Sequence, residues 1–228
     1  YVAPDAILRL QGSQPHNLGG DISATGAGTL EIAGPVNIDG TFAFPGSITI
    51  WGDPGGTLNL GTEATVAEVA VLNLTRGALT GPGDLTAGTV NWSYGTMSGS
   101  GATTATVAAN FSGTLSIGLQ DRTFNNAGTA TWNSANILNL QTASTVFNNQ
   151  AGATFTVASS GSTAVGGSGT YNNAGTFTKA NAGETQISSQ FDNAGVLRVE
   201  SGTLAIGNNT RASTSTGTYY VAPDAILR

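Results

Sequence analysis

The chain has 228 residues, of which only 9% are charged and 33 are glycine, and its 7 basic and 13 acidic residues give a formal charge of −6. Ordinary soluble domains carry about 25% charge, and no stretch here gathers the Lys/Arg cluster that phosphate backbones require, which argues against nucleic acid and anionic membrane surfaces as partners. Cysteine is absent, which excludes disulfides and thiolate metal sites, and no apolar run approaches the ~20 residues that span a bilayer, so membrane insertion of this segment is not expected.

Apolar content is 39%, and Val, Ile, Leu, Phe and Thr recur at short intervals throughout, which is the composition of a folded chain. The first nine residues, YVAPDAILR, return unchanged as Tyr220 to Arg228. Tyr1 and Tyr220 are therefore equivalent, and the period is 220 − 1, or 219 residues. Residues 1–219 read as one unit of a tandem array, with 220–228 opening the next identical unit. Val2, Ile7, Leu8 and Leu10 read as part of an ordinary coil, with Pro4-Asp5 as its turn.

Along the first half, apolar residues come in pairs two apart: Leu8/Leu10, Leu30/Ile32, Ile48/Ile50, Leu58/Leu60, Leu72/Leu74, Val90/Trp92 and Leu115/Ile117. Each pair predicts a short strand with one buried face. Between them lie corners marked by Gly46, Gly52, Gly55, Gly56, Gly81, Gly83, Gly99 and Gly101, with Pro45, Asp53-Pro54 and Pro82 beside them. No segment shows a helical 3.6-residue stripe.

The second half is more regular. FNNAG at Phe124–Gly128, FNNQAG at Phe147–Gly152, YNNAG at Tyr171–Gly175 and FDNAG at Phe191–Gly195 place their aromatic residues 23, 24 and 20 apart. Each motif precedes a short alternating strand that predicts Ala130, Trp132, Phe155, Val157, Phe177, Leu197 and Val199 inward. Thr129, Thr131, Thr154, Thr156, Thr176, Thr178 and Arg198 then face out. A motif returning in phase every 20 to 24 residues predicts an all-β fold, a parallel β-helix or β-solenoid, of about ten coils per 219-residue unit. At ~4.8 Å per coil the unit would be roughly 50 Å long. Equivalent positions stack in such a fold. Phe124, Phe147, Tyr171 and Phe191 are thus expected to form an aromatic ladder, and Asn126, Asn149, Asn173 and Asn193 an amide ladder, with the closing glycine of each motif turning a corner.

These runs, RTFNNAGTATWNSANILNL at 122–140, FNNQAGATFTV at 147–157 and YNNAGTFTK at 171–179, together with GTVNWSYGTMSGSG at 88–101, resemble the Gly/Thr/Asn-rich repeats of giant bacterial surface and secreted proteins of the filamentous adhesin and autotransporter-like group. The resemblance is one of repeat style. It implies a right-handed helix that builds extracellular stalks or fibres at the bacterial cell surface, with other copies of itself as the partner, end to end and side by side, and it brings no catalytic residues with it.

No catalytic, cofactor-binding or metal-binding set is expected. The acids are scattered, with Asp53 and Asp84 in Pro/Gly turns and Glu63 and Glu68 read as solvated, so the paired carboxylates of a polysaccharide-cleaving β-helix do not assemble from the sequence. His16 is the lone histidine, in what reads as a loop. Gly166-Gly167-Ser168-Gly169-Thr170 lacks the aspartate of a calcium-binding nonapeptide. The reading is a structural extracellular filament or matrix. Two readings stand against it: an adhesive module, gripping surface glycans through an aromatic such as Tyr94 or Trp51, or ice through the Thr-x-Thr pairs, and a polysaccharide-acting β-helix enzyme, which a clustered carboxylate pair would favour.

Overall fold

A computed structural model describes residues 1–52, 55–66, 68–134, 136–159, 163–207 and 211–228, without the side chains of 163 and 164. Asp53 and Pro54 lie outside the described residues. The described chain is a parallel β-solenoid with no helix, and every strand pairing in it is parallel. It has three walls. The first runs from Ile7–Leu10 through Thr29–Ile32 and Ser47–Ile50 to Val196–Val199 and Thr218–Val221; the second runs from His16–Gly19 through Thr57–Leu60 and Ile117–Gln120 to Ile226–Leu227. The third begins with Ile22–Ser23, Thr41–Ala43 and Thr65–Val66 and continues, further up, as Thr123–Asn126, Val146–Asn149, Thr170–Asn173 and Gln190–Asn193.

From Ile7 to Thr218 the first wall climbs ten steps in 211 residues, about 21 per coil. Single steps range from 18, Thr29 to Ser47, to 25, Thr129 to Thr154, slightly wider than the motif spacing alone predicts. The variation is taken up at corners, so strand register is kept. In the middle coils, Leu85–Trp92 and Ala102–Phe111 run from the third wall into the first without a break, and their register shifts between Ala87 and Thr89. Val107, in the extra residues of that bulge, is exposed.

Alternation puts two inward columns on the first wall. One carries Leu30, Ile48, Leu72, Val90, Ala109, Ala130, Phe155, Phe177 and Leu197, and the other Ile32, Ile50, Leu74, Trp92, Phe111, Trp132, Val157 and Val199, all of them buried. Small residues sit beside large ones. Ala109 and Ala130 leave the room that Phe111 and Trp132 fill, which keeps the cross-section constant without voids. Burying each Val, Leu, Ile or Phe contributes about 1.5–3 kcal/mol.

Two apolar pairs depart from expectation. Leu115 is 52% exposed because the chain bends from Gly113, at φ 95°, and the strand begins only at Ile117, so the buried pair is Ile117/Leu119. Leu8 points along the inward column but is half exposed, since no coil lies beneath it within this chain. His16 lies in a strand rather than a loop, with Nε2 3.0 Å from the Gln11 carbonyl.

Corners require close backbone approach. At Gly95, φ is 97° and an added Cβ would lie 2.4 Å from the carbonyl oxygen of Gly77 one coil below, so no other residue fits without displacing the coil.

The aromatic core has one structural cost. The Tyr171 hydroxyl is fully buried with no hydrogen-bond partner among the described residues, and burial holds its pKa well above the usual phenol value. Its neighbours in the stack are Phe147 and Phe191. An unpartnered buried hydroxyl costs about 1–3 kcal/mol, so Tyr171→Phe is expected to stabilise the solenoid by about 1 kcal/mol. A melting temperature lower than the parent's would show that the hydroxyl has a partner.

Candidate functional site

The eight residues of the predicted ladders come together on the third wall. Phe124 and Phe147 stack at 5.1 Å with planes 16° apart, Phe147 and Tyr171 at 4.8 Å and 12°, and Tyr171 and Phe191 at 5.5 Å and 27°. A second stack faces them: Phe155 and Phe177 lie parallel at 5.3 Å on the first wall and meet the first stack edge-on, Phe155 against Phe147 at 90° and against Tyr171 at 87°. Offset stacking within each column and edge-to-face contact between columns satisfy the ring quadrupoles in both directions.

The buried amides form a chain. Asn126 Nδ2 donates to Asn149 Oδ1 at 2.8 Å, Asn149 to Asn173 at 2.8 Å and Asn173 to Asn193 at 2.7 Å. Each Nδ2 also donates to the carbonyl of the strand across the next corner, at Thr154, Thr176 and Val196. An amide is suited to this because it carries both donors and acceptors on one side chain, so identical residues satisfy one another. The column begins above Ala105 and ends below Ser215.

The closing glycine needs one correction. In FNNQAG the corner that stacks over Gly128 is Ala153, which is buried, whereas Gly152 stands out at the surface with φ 84°. The inserted residue loops outward and the ladder is undisturbed.

Outside the core run three further amide columns, of which the third is formed by the first asparagine of the FNNAG motif. Asn17, Asn37 and Asn59 climb the second wall, Asn73, Asn91 and Asn110 the first, and Asn125, Asn148 and Asn172 the third, each bonded to the next at 2.7 to 3.3 Å. Their signal was in the sequence: asparagine stands between the members of the pairs Leu58/Leu60, Leu72/Leu74 and Val90/Trp92. Two buried cations also went unpredicted. Arg122 donates to Thr103 Oγ1 and to the carbonyls of Gly81, Ser98, Gly83 and Ala102, clamping the glycine corners beneath it. Burial pushes its pKa down to about 10. Lys179 donates to the carbonyls of Asn181 and Ser201, and burial lowers its pKa too.

The acids serve coil-to-coil contacts. Glu31 pairs with Arg9 at 2.6 Å and Glu184 with Arg228 at 2.8 Å; Asp84 accepts the Ala102 amide, and so caps the coil above rather than its own turn. Glu68, read as solvated, accepts the Thr106 hydroxyl at 2.7 Å. Hydroxyls of Ser144 and Thr142 hold the Asp121 carboxyl below its ordinary pKa. Among the described residues no group of three or more His, Asp or Glu is placed to hold a metal ion.

Two outer surfaces remain. On the first wall Thr129, Thr154 and Thr176 align, as do Thr131, Thr156 and Thr178, but Ala108 and Asn110 bound the patch below and Val196 and Arg198 above. Three coils of threonine do not make the long flat rank that ice demands. On the second wall a groove of about 330 Å³ crosses four coils, lined by Arg76, Tyr94, Thr96, Ser116, Asn139 and Gln141, with Gly118 as a recess between Thr96 and Asn139. Tyr94 is 38% exposed. Trp51 lines a second groove and lies under the Arg9 guanidinium at 5.0 Å.

No protein-family model, curated protein or solved structure matches the chain.

The inner and outer ladders are expected to differ in weight. Asn149→Ala removes one bonded partner from each of two buried amides and should cost about 2–4 kcal/mol. Asn148→Ala, in the half-buried outer column, should cost about 0.5–1 kcal/mol. Equal losses in urea unfolding would remove the distinction.

Proposed function

We propose that the chain is a stretch of a structural fibre, a string of 219-residue solenoid units that continue one another on or around a bacterial cell. The observation that carries this is the seam. Thr218–Val221, which includes the start of the second nonapeptide, pairs residue for residue with Val196–Val199, so the repeat is entered as one more coil rather than through a linker. A stack of this kind leaves strand edges unpaired only at its termini, which suppresses sideways aggregation while extending a continuous core. A nearly uncharged coat of Thr, Ser and Asn favours lateral packing of fibres into a sheath or matrix. Several acids, among them Glu31, Asp84, Asp121 and Glu184, are engaged in holding neighbouring coils, which supports a non-enzymatic role.

The extracellular location rests on the repeat style, and self-association is the partner this reading requires. Electron microscopy of a chain carrying several consecutive units is expected to show an unbranched rod that lengthens by roughly 50 Å per unit. Compact beads joined by flexible gaps would sink the proposal.

The Tyr94 groove favours a second reading, adhesion to a glycan. One aromatic face with hydroxyls and amides around it is the usual composition of a sugar subsite, and about 330 Å³ suits one or two rings. On a glycan array, Tyr94→Ala is expected to abolish whatever binding the parent shows. Equal binding by both proteins would remove the groove from consideration.

A further inference from the structure

The two copies of YVAPDAILR fold alike and sit differently. In each, a β-turn closes over Pro-Asp: the Ala6 amide donates to the Ala3 carbonyl at 3.0 Å and the Ala225 amide to the Ala222 carbonyl at 3.1 Å. Asp5 and Asp224 both stand at φ 65°. Proline presets the first turn position and aspartate tolerates the left-handed second one, so the nonapeptide carries its own corner.

What differs is the corner that it turns. In the first copy Ile7–Leu10 lies on the first wall, paired with Thr29–Ile32. Val2 lies where the chain leaves the third wall, its amide donating to Thr25 at 2.9 Å and its carbonyl accepting from Gly28 at 3.2 Å. In the second copy Tyr220 and Val221 occupy the first wall, over Arg198 and Val199, and Ile226–Leu227 lies on the second wall over Thr203 and Leu204. The same turn and following strand thus join the third wall to the first in one place and the first to the second in the other. Since the first wall climbs ten steps between Ile7 and Thr218, the 219 residues from Ile7 to Ile226 advance ten coils and one wall more.

We propose that successive units are turned by one wall, a third of a revolution, about the solenoid axis. Residues that build the first wall in one unit build the second wall in the next and the third wall in the one after. Three units, at ten and one third coils each, restore the phase after 31 coils, roughly 150 Å. The proposal rests on reading the chain as an unbroken array.

The walls permit the exchange because they offer the incoming strand equivalent edges. Val196–Val199 presents a parallel ladder with Leu197 and Val199 inward, and Thr203–Ile206 presents one with Leu204 buried and Ile206 partly buried against the core. For the copies to be in phase, Ile226 would have to displace Thr218 from its place above Val196. Tyr219, Tyr220 and Val221 would then be expelled from the ladder. A feature confined to one side of a unit, such as the Tyr94 groove, is accordingly shown on all three sides of the fibre in turn, and the fibre meets its neighbours with the same surfaces from every direction.

Paired cysteines test this in a chain of two consecutive units, since the parent sequence has none. Thr203 and Ile226 are outward neighbours on the second wall, and Val196 would be the outward neighbour of Ile226 if the units were in phase. Adjacent parallel strands bring Cα atoms within disulfide range. Mild oxidation is expected to link the T203C/I226C variant and to leave V196C/I226C reduced. The reverse result overturns the rotation while leaving a continuous fibre intact. If neither pair links, the seam is not a stacked coil, and the rotation falls together with the array on which it rests.

Discussion

Every position in this molecule is constrained by the residue one coil above and one coil below it, because parallel strands in register stack equivalent positions at a spacing of ~4.8 Å. A side chain must therefore be compatible with copies of its own kind. Two like charges at that distance repel by about 1 kcal/mol in bulk water and by about 3 kcal/mol at the effective dielectric of a protein surface. An amide, by contrast, donates to and accepts from its twin. The 9% charge and the abundance of Asn and Thr are consequences of that geometry rather than of habitat alone. Some of the charge that does occur alternates in sign between coils, as in Arg9 with Glu31, and some reaches carbonyls, as in Arg122.

The buried cations show the same constraint from inside. Many corners carry glycine, and their carbonyls accept an amide from the coil above, as Gly101 does from Thr123; at Gly81 a buried cation donates as well. Arg122 fills the space above Gly81 and Gly83 with donors in a fixed fork, and Lys179 serves the opposite corner with a flexible stem. Neither forms an ion pair among the described residues, although the Asp84 carboxylate lies near enough to Arg122 to oppose part of the effect of burial. Removal of either would leave several buried acceptors without a partner, which is costlier than the loss of one bond.

Much of this was legible in the sequence, for a physical reason. A solenoid makes local alternation and long-range periodicity point to the same answer, so Phe155 and Phe177 could be assigned inward and Thr154 and Thr176 outward from spacing alone. The errors fall where the two signals separate. Leu115 keeps the alternation but lies before a bend, and Gly152 keeps the motif while an inserted residue passes its corner to Ala153. Arg122 and Lys179 were illegible because nothing local marks a cation as inward; for Arg122 the marks are the carbonyls of Gly81 and Gly83, four strands earlier. The outer asparagine columns were legible and overlooked: the first- and second-wall columns sit in plain Leu-Asn-Leu-type runs, and the third is the first asparagine of the FNNAG series, beside the more conspicuous inward one. The Tyr94 groove depends on Gly118 lying level with Thr96 and Asn139, a coincidence of register that spacing of this irregularity does not yield.

The inner amide column has a direction. Its donors are fixed toward the higher coils by their second bonds to Thr154, Thr176 and Val196, and the outer columns donate the opposite way, as Asn148 does to Asn125. At its upper end the buried Nδ2 of Asn193 meets Ser215 instead of another amide and has no partner among the described residues. A rod built on such columns is polar along its length, and its resistance to being pulled apart is graded. The coils between Asn126 and Asn193 share one buried hydrogen-bonded thread that the coils below and above them lack, so axial tension would be relieved outside this segment before it is relieved within it.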